Sequence, residues 1–189
     1  MHYSIIQPPF TLKFREMTKQ ELKDYYRWFL DILPDRIAIL ADAIRQTPGF
    51  EAWDSNESPE SLNALGEWFL SQVETRPRTS GEIEQIQSRS SYSIEVSGRE
   101  LTNRTFSIAI DIGMYISRVF LNNFRDLRWG QEFGNKHGVN YGQPVLVGFP
   151  ATPFNPVNTM VTLAYAFSDG SRSGTRLREI YDYWSDRVT

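Results

Sequence analysis

The sequence predicts an α+β fold, helix-rich, built as one domain over residues 1–189 with a small antiparallel sheet. Three observations predict it. Apolar residues recur at three- and four-residue intervals through several long segments, the mark of amphipathic helices. Two short segments, 129–133 and 144–149, bracket a glycine-containing turn and read as paired strands. A length of 189 residues with 40% hydrophobic and 14% aromatic side chains is enough to bury one core.

Phe10, Leu12 and Phe14 alternate with Thr11 and Lys13, which predicts a short strand over 10–14. Thr18 and Glu21 have the spacing of a capping box, and Leu22, Tyr25, Tyr26, Phe29 and Leu33 then mark one helical face. Pro34 should end or bend that helix. A second helix follows with Ile37, Leu40, Ala41 and Ile44 and stops at Thr47-Pro48-Gly49, so the two form a helical pair. Ser58-Pro59-Glu60 supplies a cap, a pre-set dihedral and an early acid, and predicts a third helix carrying Leu62, Leu65, Phe69 and Val73, closed by Arg76-Pro77. Thr79 and Glu82 make another capping box, but the polar stretch 82–91 reads as a weak helix or a surface turn. Tyr92, Ile94 and Val96 alternate as a short strand ending at Ser97-Gly98.

The strongest helix runs over 105–124, where Phe106, Ile110, Gly113, Ser117, Phe120 and Phe124 form one face and Ile108, Ile112 and Val119 a second. A helix apolar nearly all round belongs at the centre of the fold, and Gly113 and Ser117 on it should admit another backbone. After the strand pair, Asn155-Pro156 starts a helix carrying Val157, Met160, Val161, Ala164 and Phe167. A loop over 169–174 precedes a last helix from Thr175 with Leu177, Ile180, Tyr181, Trp184 and Val188. Trp129 and Trp184 are expected to anchor the core.

Composition limits the chemistry. A net charge of −3 argues against general binding to nucleic acid, and the absence of cysteine excludes disulfides and thiolate catalysis. The N-terminal MHYSIIQPPF lacks the pattern of a secretory signal, and the longest uncharged run is broken by Pro144, Pro150, Pro153 and Pro156. A cytoplasmic protein without membrane spans is the expectation. Two separated histidines imply no metal site, and no cofactor motif is present.

Asp111 lies inside the apolar central helix, where an unpaired buried carboxylate would be costly and catalytically suggestive. Yet Asp111, Tyr115, Arg118, Asn122 and Arg125 are spaced as one polar stripe, which places Asp111 in water and makes Asp111→Asn nearly neutral. His137 would act as a general base if Glu132 or Asp126 oriented it; otherwise it is an exposed turn histidine. Gly130, Gly134, Gly138 and Gly142 punctuate strands rather than open a helix, which disfavours a phosphate loop, and no G-x-S-x-G elbow exists.

Charge distribution is more informative. Residues 1–95 carry fifteen acids and ten bases, while 96–189 carry eight acids and ten bases. Glu51, Asp54, Glu57, Glu60, Glu67 and Glu74 gather around the third helix, as a solvated face or as a surface for a basic partner, with Glu57, Glu60 and Glu67 the candidate contacts. The run 137–168 holds no charged side chain in a chain that is 23% charged. The weakly polar side of helix 157–167, Asn158, Thr162 and Tyr165, should therefore be covered by protein, either internally or in a homodimer.

The segments IDIGMYISRVF, RWGQEF, VLVGF, NPVNTMV and LREIYDYW, between Ile110 and Trp184, resemble small bacterial domains, some of them immunity proteins of toxin systems. The resemblance implies a protein-binding role and transfers no catalytic residue; with the acids around the third helix, the expected partner is a basic toxin. The expected function is thus an immunity-type or accessory binding protein. A small-molecule-binding protein or hydrolase using Asp111, Glu132 or His137 is the alternative.

Overall fold

The computed structural model describes residues 3–89 and 95–188. Among them the chain forms six helices and two antiparallel strand pairs, a helix-rich α+β domain. Helix α4 (Asn103–Asn123) is the axis: Ile108, Ala109, Ile112, Ile116, Val119 and Phe120 are all fully buried on it. Helices α1 (Lys19–Arg45), α2 (Ser61–Gln72), α5 (Pro156–Ser168) and α6 (Arg176–Ser185) pack around it. None of the described helices is long and apolar enough to cross a membrane.

Helix α1 is continuous through Pro34, where the sequence predicts a helical pair. A proline inside a helix forfeits one N–H bond and crowds the preceding turn. Here Tyr25, Phe29 and Leu33 are buried before Pro34 and Arg36, Leu40 and Ile44 after it, so packing on both sides holds the two halves in register. The Thr18–Glu21 capping box forms as expected, the Thr18 hydroxyl accepting from the Glu21 N–H.

Residues 10–14 are irregular, not a strand. Their alternating burial survives, with Phe10 and Phe14 edge-on to Tyr25 at 5.6 and 5.2 Å, but no described strand lies alongside to complete a ladder. Helix α2 starts at Ser61, because Ser58-Pro59-Glu60 is spent on a preceding turn in which the Ser58 hydroxyl accepts from the Ser61 N–H. It ends at Gln72. Arg76-Pro77, expected to close it, instead belongs to β1 (Thr75–Pro77), which pairs with β2 (Arg99–Leu101), register Arg76 opposite Glu100.

Helix α3 (Ser80–Arg89) forms behind the Thr79–Glu82 capping box. The Arg76 guanidinium clamps Glu82, contacts at 2.7 and 3.0 Å, and with the Thr79 N–H holds its carboxyl down at about 2. Of the strand expected at Tyr92, Ile94 and Val96, the first two lie outside the described residues, and Val96 is not in a strand. The predicted hairpin appears as β3 (Arg128–Gln131) antiparallel to β4 (Pro144–Val147).

Gly113 does what its place in α4 requires. A Cβ there would sit 3.0 Å from the Val157 Cα, so a larger residue would push the start of α5 back from α4 by a few tenths of an ångström. Gly66 plays the same part between α2 and the loop leading into α6, where a Cβ would fall 2.0 Å from the Gly174 carbonyl oxygen. The tryptophan expectation is corrected: Trp129 and Trp184 are only half-buried, whereas Trp68 is fully enclosed and Trp53 nearly so. Trp68 lies on the inner face of α2, while Trp184 lies on the outer flank of α6, where the fold leaves one side open.

Candidate functional site

Helix α5 is capped by Asn155, whose side chain accepts from the Asn158 N–H at 3.0 Å and donates to Asn140 and Gln143. Its apolar face, Met160, Leu163, Ala164 and Phe167, turns inward, with Phe167 edge-on to Phe69 at 5.3 Å. Helix α6 likewise commits Leu177 and Tyr181 to the core. Both helices pack on α2 and α4, and a groove of about 430 Å³ separates them.

Asn158, Thr159, Thr162, Leu163 and Ala166 form the α5 wall of this groove. Arg172 closes one end, and Arg176, Ile180, Tyr183 and Trp184 form the α6 wall. Among the described residues, the only charged side chains lining it are Arg172 and Arg176. Tyr183 is 54% exposed, an unusual state for a large aromatic, and Arg187 lies over its ring at 3.4 Å.

The expected cover over α5 is not internal. Asn158 and Thr162 are exposed in the chain and face the groove, so no other part of the described molecule shields them. Tyr165 parts company with them. It is half-buried on another side of the helix, edge-on to Phe106 at 6.4 Å.

The acids around α2 are partly engaged. Glu57 accepts from the Arg118 Nε at 2.9 Å, and Glu60 lies 3.6 Å from Arg178. Glu67 is exposed near Gly174. Such surface pairs contribute little to stability, but they reduce the free negative charge available to a basic partner.

Asp111 is not in water. Its polar stripe divides in two: Asp111 and Tyr115 are fully buried, while Arg118, Asn122 and Arg125 are exposed. The upper half is covered because α1 and the loop before α2 lie across it. The Arg36 guanidinium grips the Asp111 carboxylate with contacts of 2.8 and 2.7 Å, and the Tyr3 hydroxyl donates to the same carboxylate. Ser107 accepts from the Ile6 N–H at 2.8 Å and bonds the Tyr3 hydroxyl at 3.0 Å. Burial pushes the Asp111 carboxyl up to about 6, against the opposing pull of Arg36, and pushes the Tyr3 phenol up as well. Tyr115 bonds Ser61 at 2.8 Å and accepts from the Glu57 N–H.

This network is closed on itself. Every oxygen of Asp111 is occupied by Arg36 or Tyr3, so it pins the N-terminal segment to α1 and α4 and offers no reacting group to a substrate. Glu132 and His137 are exposed on the loop between β3 and β4. The His137 carbonyl accepts from Arg15 at 3.0 Å and its N–H donates to Asn135. Glu132 borders a shallow hollow of about 200 Å³ with Asn135 and Asn140. The structure thus brings neither together with Asp111.

The sequence pattern missed Arg36, Ser107 and Tyr3, and the α6 half of the groove. Arg36 had a signal: it continues the apolar register Leu22, Tyr25, Phe29, Leu33 toward Leu40. Comparison with protein-family models, with curated proteins and with solved structures finds no match to this chain.

Proposed function

We propose that the protein acts by binding another protein through the α5–α6 face, as an immunity-type or accessory factor does. The observation that carries this reading is the exposed, charge-free outer side of α5, continuous with an aromatic-walled groove on α6. Depletion of charge with enrichment of aromatic and arginine side chains is the composition of a protein-interface core. The rival catalytic reading loses support, since Asp111 is sealed by Arg36 and Tyr3 while Glu132 and His137 stand apart from it on a surface loop.

A photo-crosslinking amino acid at position 162 tests the proposal, with position 122, exposed near the far end of α4, as control. A discrete protein adduct from position 162 that is absent from 122 and lost with Ala166→Arg supports the reading. Adducts of equal yield from both positions overturn it. An adduct between two copies of this chain would make the same face a homodimer contact.

A further inference from the structure

Resting on the protein-binding reading, we infer that the α5–α6 groove takes an acidic peptide segment carrying a large apolar side chain. Charge complementarity is the first argument. The chain is net negative, yet among the described residues Arg172 and Arg176 are the only charged ones lining the groove. On the opposite flank of Trp184 a second hollow of about 330 Å³, floored by Phe149 and Pro150, has Arg187 as its only charged side chain among the described residues. The Tyr183–Trp184 ridge is therefore flanked by cations on both sides. Arg176 shares its charge with Glu179 at 3.0 Å and Arg172 donates to the Ser171 carbonyl, but a guanidinium carries five N–H donors, so each retains some for a ligand carboxylate.

Hydrogen-bond polarity supplies the second argument. The Thr159 hydroxyl donates to the Asn155 carbonyl at 2.7 Å and the Thr162 hydroxyl to the Asn158 carbonyl at 2.9 Å. With their protons committed to the helix, both oxygens can only accept. They suit the N–H groups of a peptide backbone and have nothing to give a phosphate oxygen. Leu163, Ala166, Ile180 and Trp184 provide the apolar floor, and a hollow of about 430 Å³ is sized for one or two side chains of a segment laid across it. Two arginines without a longer basic stripe are too few to make this a polynucleotide site.

The test is a titration of the ¹⁵N-labelled full chain with a peptide of phenylalanine and leucine flanked on each side by two glutamates, followed by amide shifts. The same peptide with lysine for glutamate, a hexathymidine oligonucleotide and inorganic phosphate serve as comparisons. The acidic peptide is expected to move the amides of Thr162, Ala166 and Ile180 with a Kd below about 1 mM. The lysine peptide should bind about tenfold more weakly, and the double charge reversal Arg172→Glu with Arg176→Glu, its circular dichroism unchanged, should weaken the acidic peptide by about tenfold or more. No shifts with the acidic peptide, or equal shifts with the lysine peptide, would overturn the inference. So would oligonucleotide or phosphate moving the same amides as strongly. If the peptide fails while the position-162 adduct persists, the partner's chemistry falls and the protein-binding reading stands; peptide binding without that adduct keeps the site and removes the reading.

Discussion

Arg36 and Asp111 meet because two amphipathic helices each carry one charge on a buried face. Removing one partner of a buried ion pair strands the other, at a cost of about 3–5 kcal/mol, so Asp111→Asn should destabilise the protein by about 3 kcal/mol or more in a denaturant titration at pH 7. The effect should depend on pH. With its folded-state value raised to about 6 by burial, against 3.8 unperturbed, the wild type loses part of its stability as pH rises from about 4 through 6 and the buried carboxyl gives up its proton. Asp111→Asn has no proton to lose at this site and should lack that fall, so wild type and variant changing in parallel between pH 4 and pH 7 would contradict the buried placement of the carboxyl. The burial of Asp111 was half legible in the sequence. Its four- and three-residue spacing to Arg118 and Arg125 marks a stripe, but spacing along one helix does not report which turns of that stripe another helix covers. The Arg36 register on α1 points the right way. Nothing local foretells that Tyr3 joins them, since it comes from an irregular segment more than a hundred residues from Asp111.

At the scale of elements, the caps and the apolar periods were legible because they are local physics. Thr18–Glu21, Thr79–Glu82 and Asn155 all form the caps their spacing implies. The misreadings arise where tertiary packing outvotes a local signal: Pro34 sits inside a continuous helix, and Arg76-Pro77 joins a strand because residues 99–101 are there to pair with it. Glycine packing gives a sharp check. Gly66→Ala should cost more than about 1–3 kcal/mol, since its methyl would collide with the Gly174 carbonyl and push the start of α6 off α2. Gly81→Ala, in α3 with open space around it, should be neutral or stabilising by about 0.5–1 kcal/mol. Trp68→Ala, fully enclosed, is expected to lose about 3–5 kcal/mol and Trp184→Ala distinctly less. Equal losses would contradict the placement of Trp184 on an open flank.

For the whole molecule, the uncharged run divides between two tasks. Residues such as Val145, Leu146, Phe154 and Met160 build the core, while Asn158 and Thr162 leave the outer side of α5 bare beside the groove. The absence of charge was legible in the sequence; that α6 would supply arginines and aromatics to the facing wall was not, because it depends on how α5 and α6 are set down on α2 and α4. Thr162→Arg should leave circular dichroism intact and stability within about 0.5 kcal/mol, as for a surface position. General unfolding would show instead that the residue is covered within the chain. The most direct measurement of the central claim is quantitative affinity purification with wild type, Ala166→Arg and Asn122→Arg side by side. A partner protein should be recovered equally by wild type and Asn122→Arg and lost with the groove-filling Ala166→Arg; a partner retained by Ala166→Arg at the wild-type level would contradict binding through the α5–α6 face.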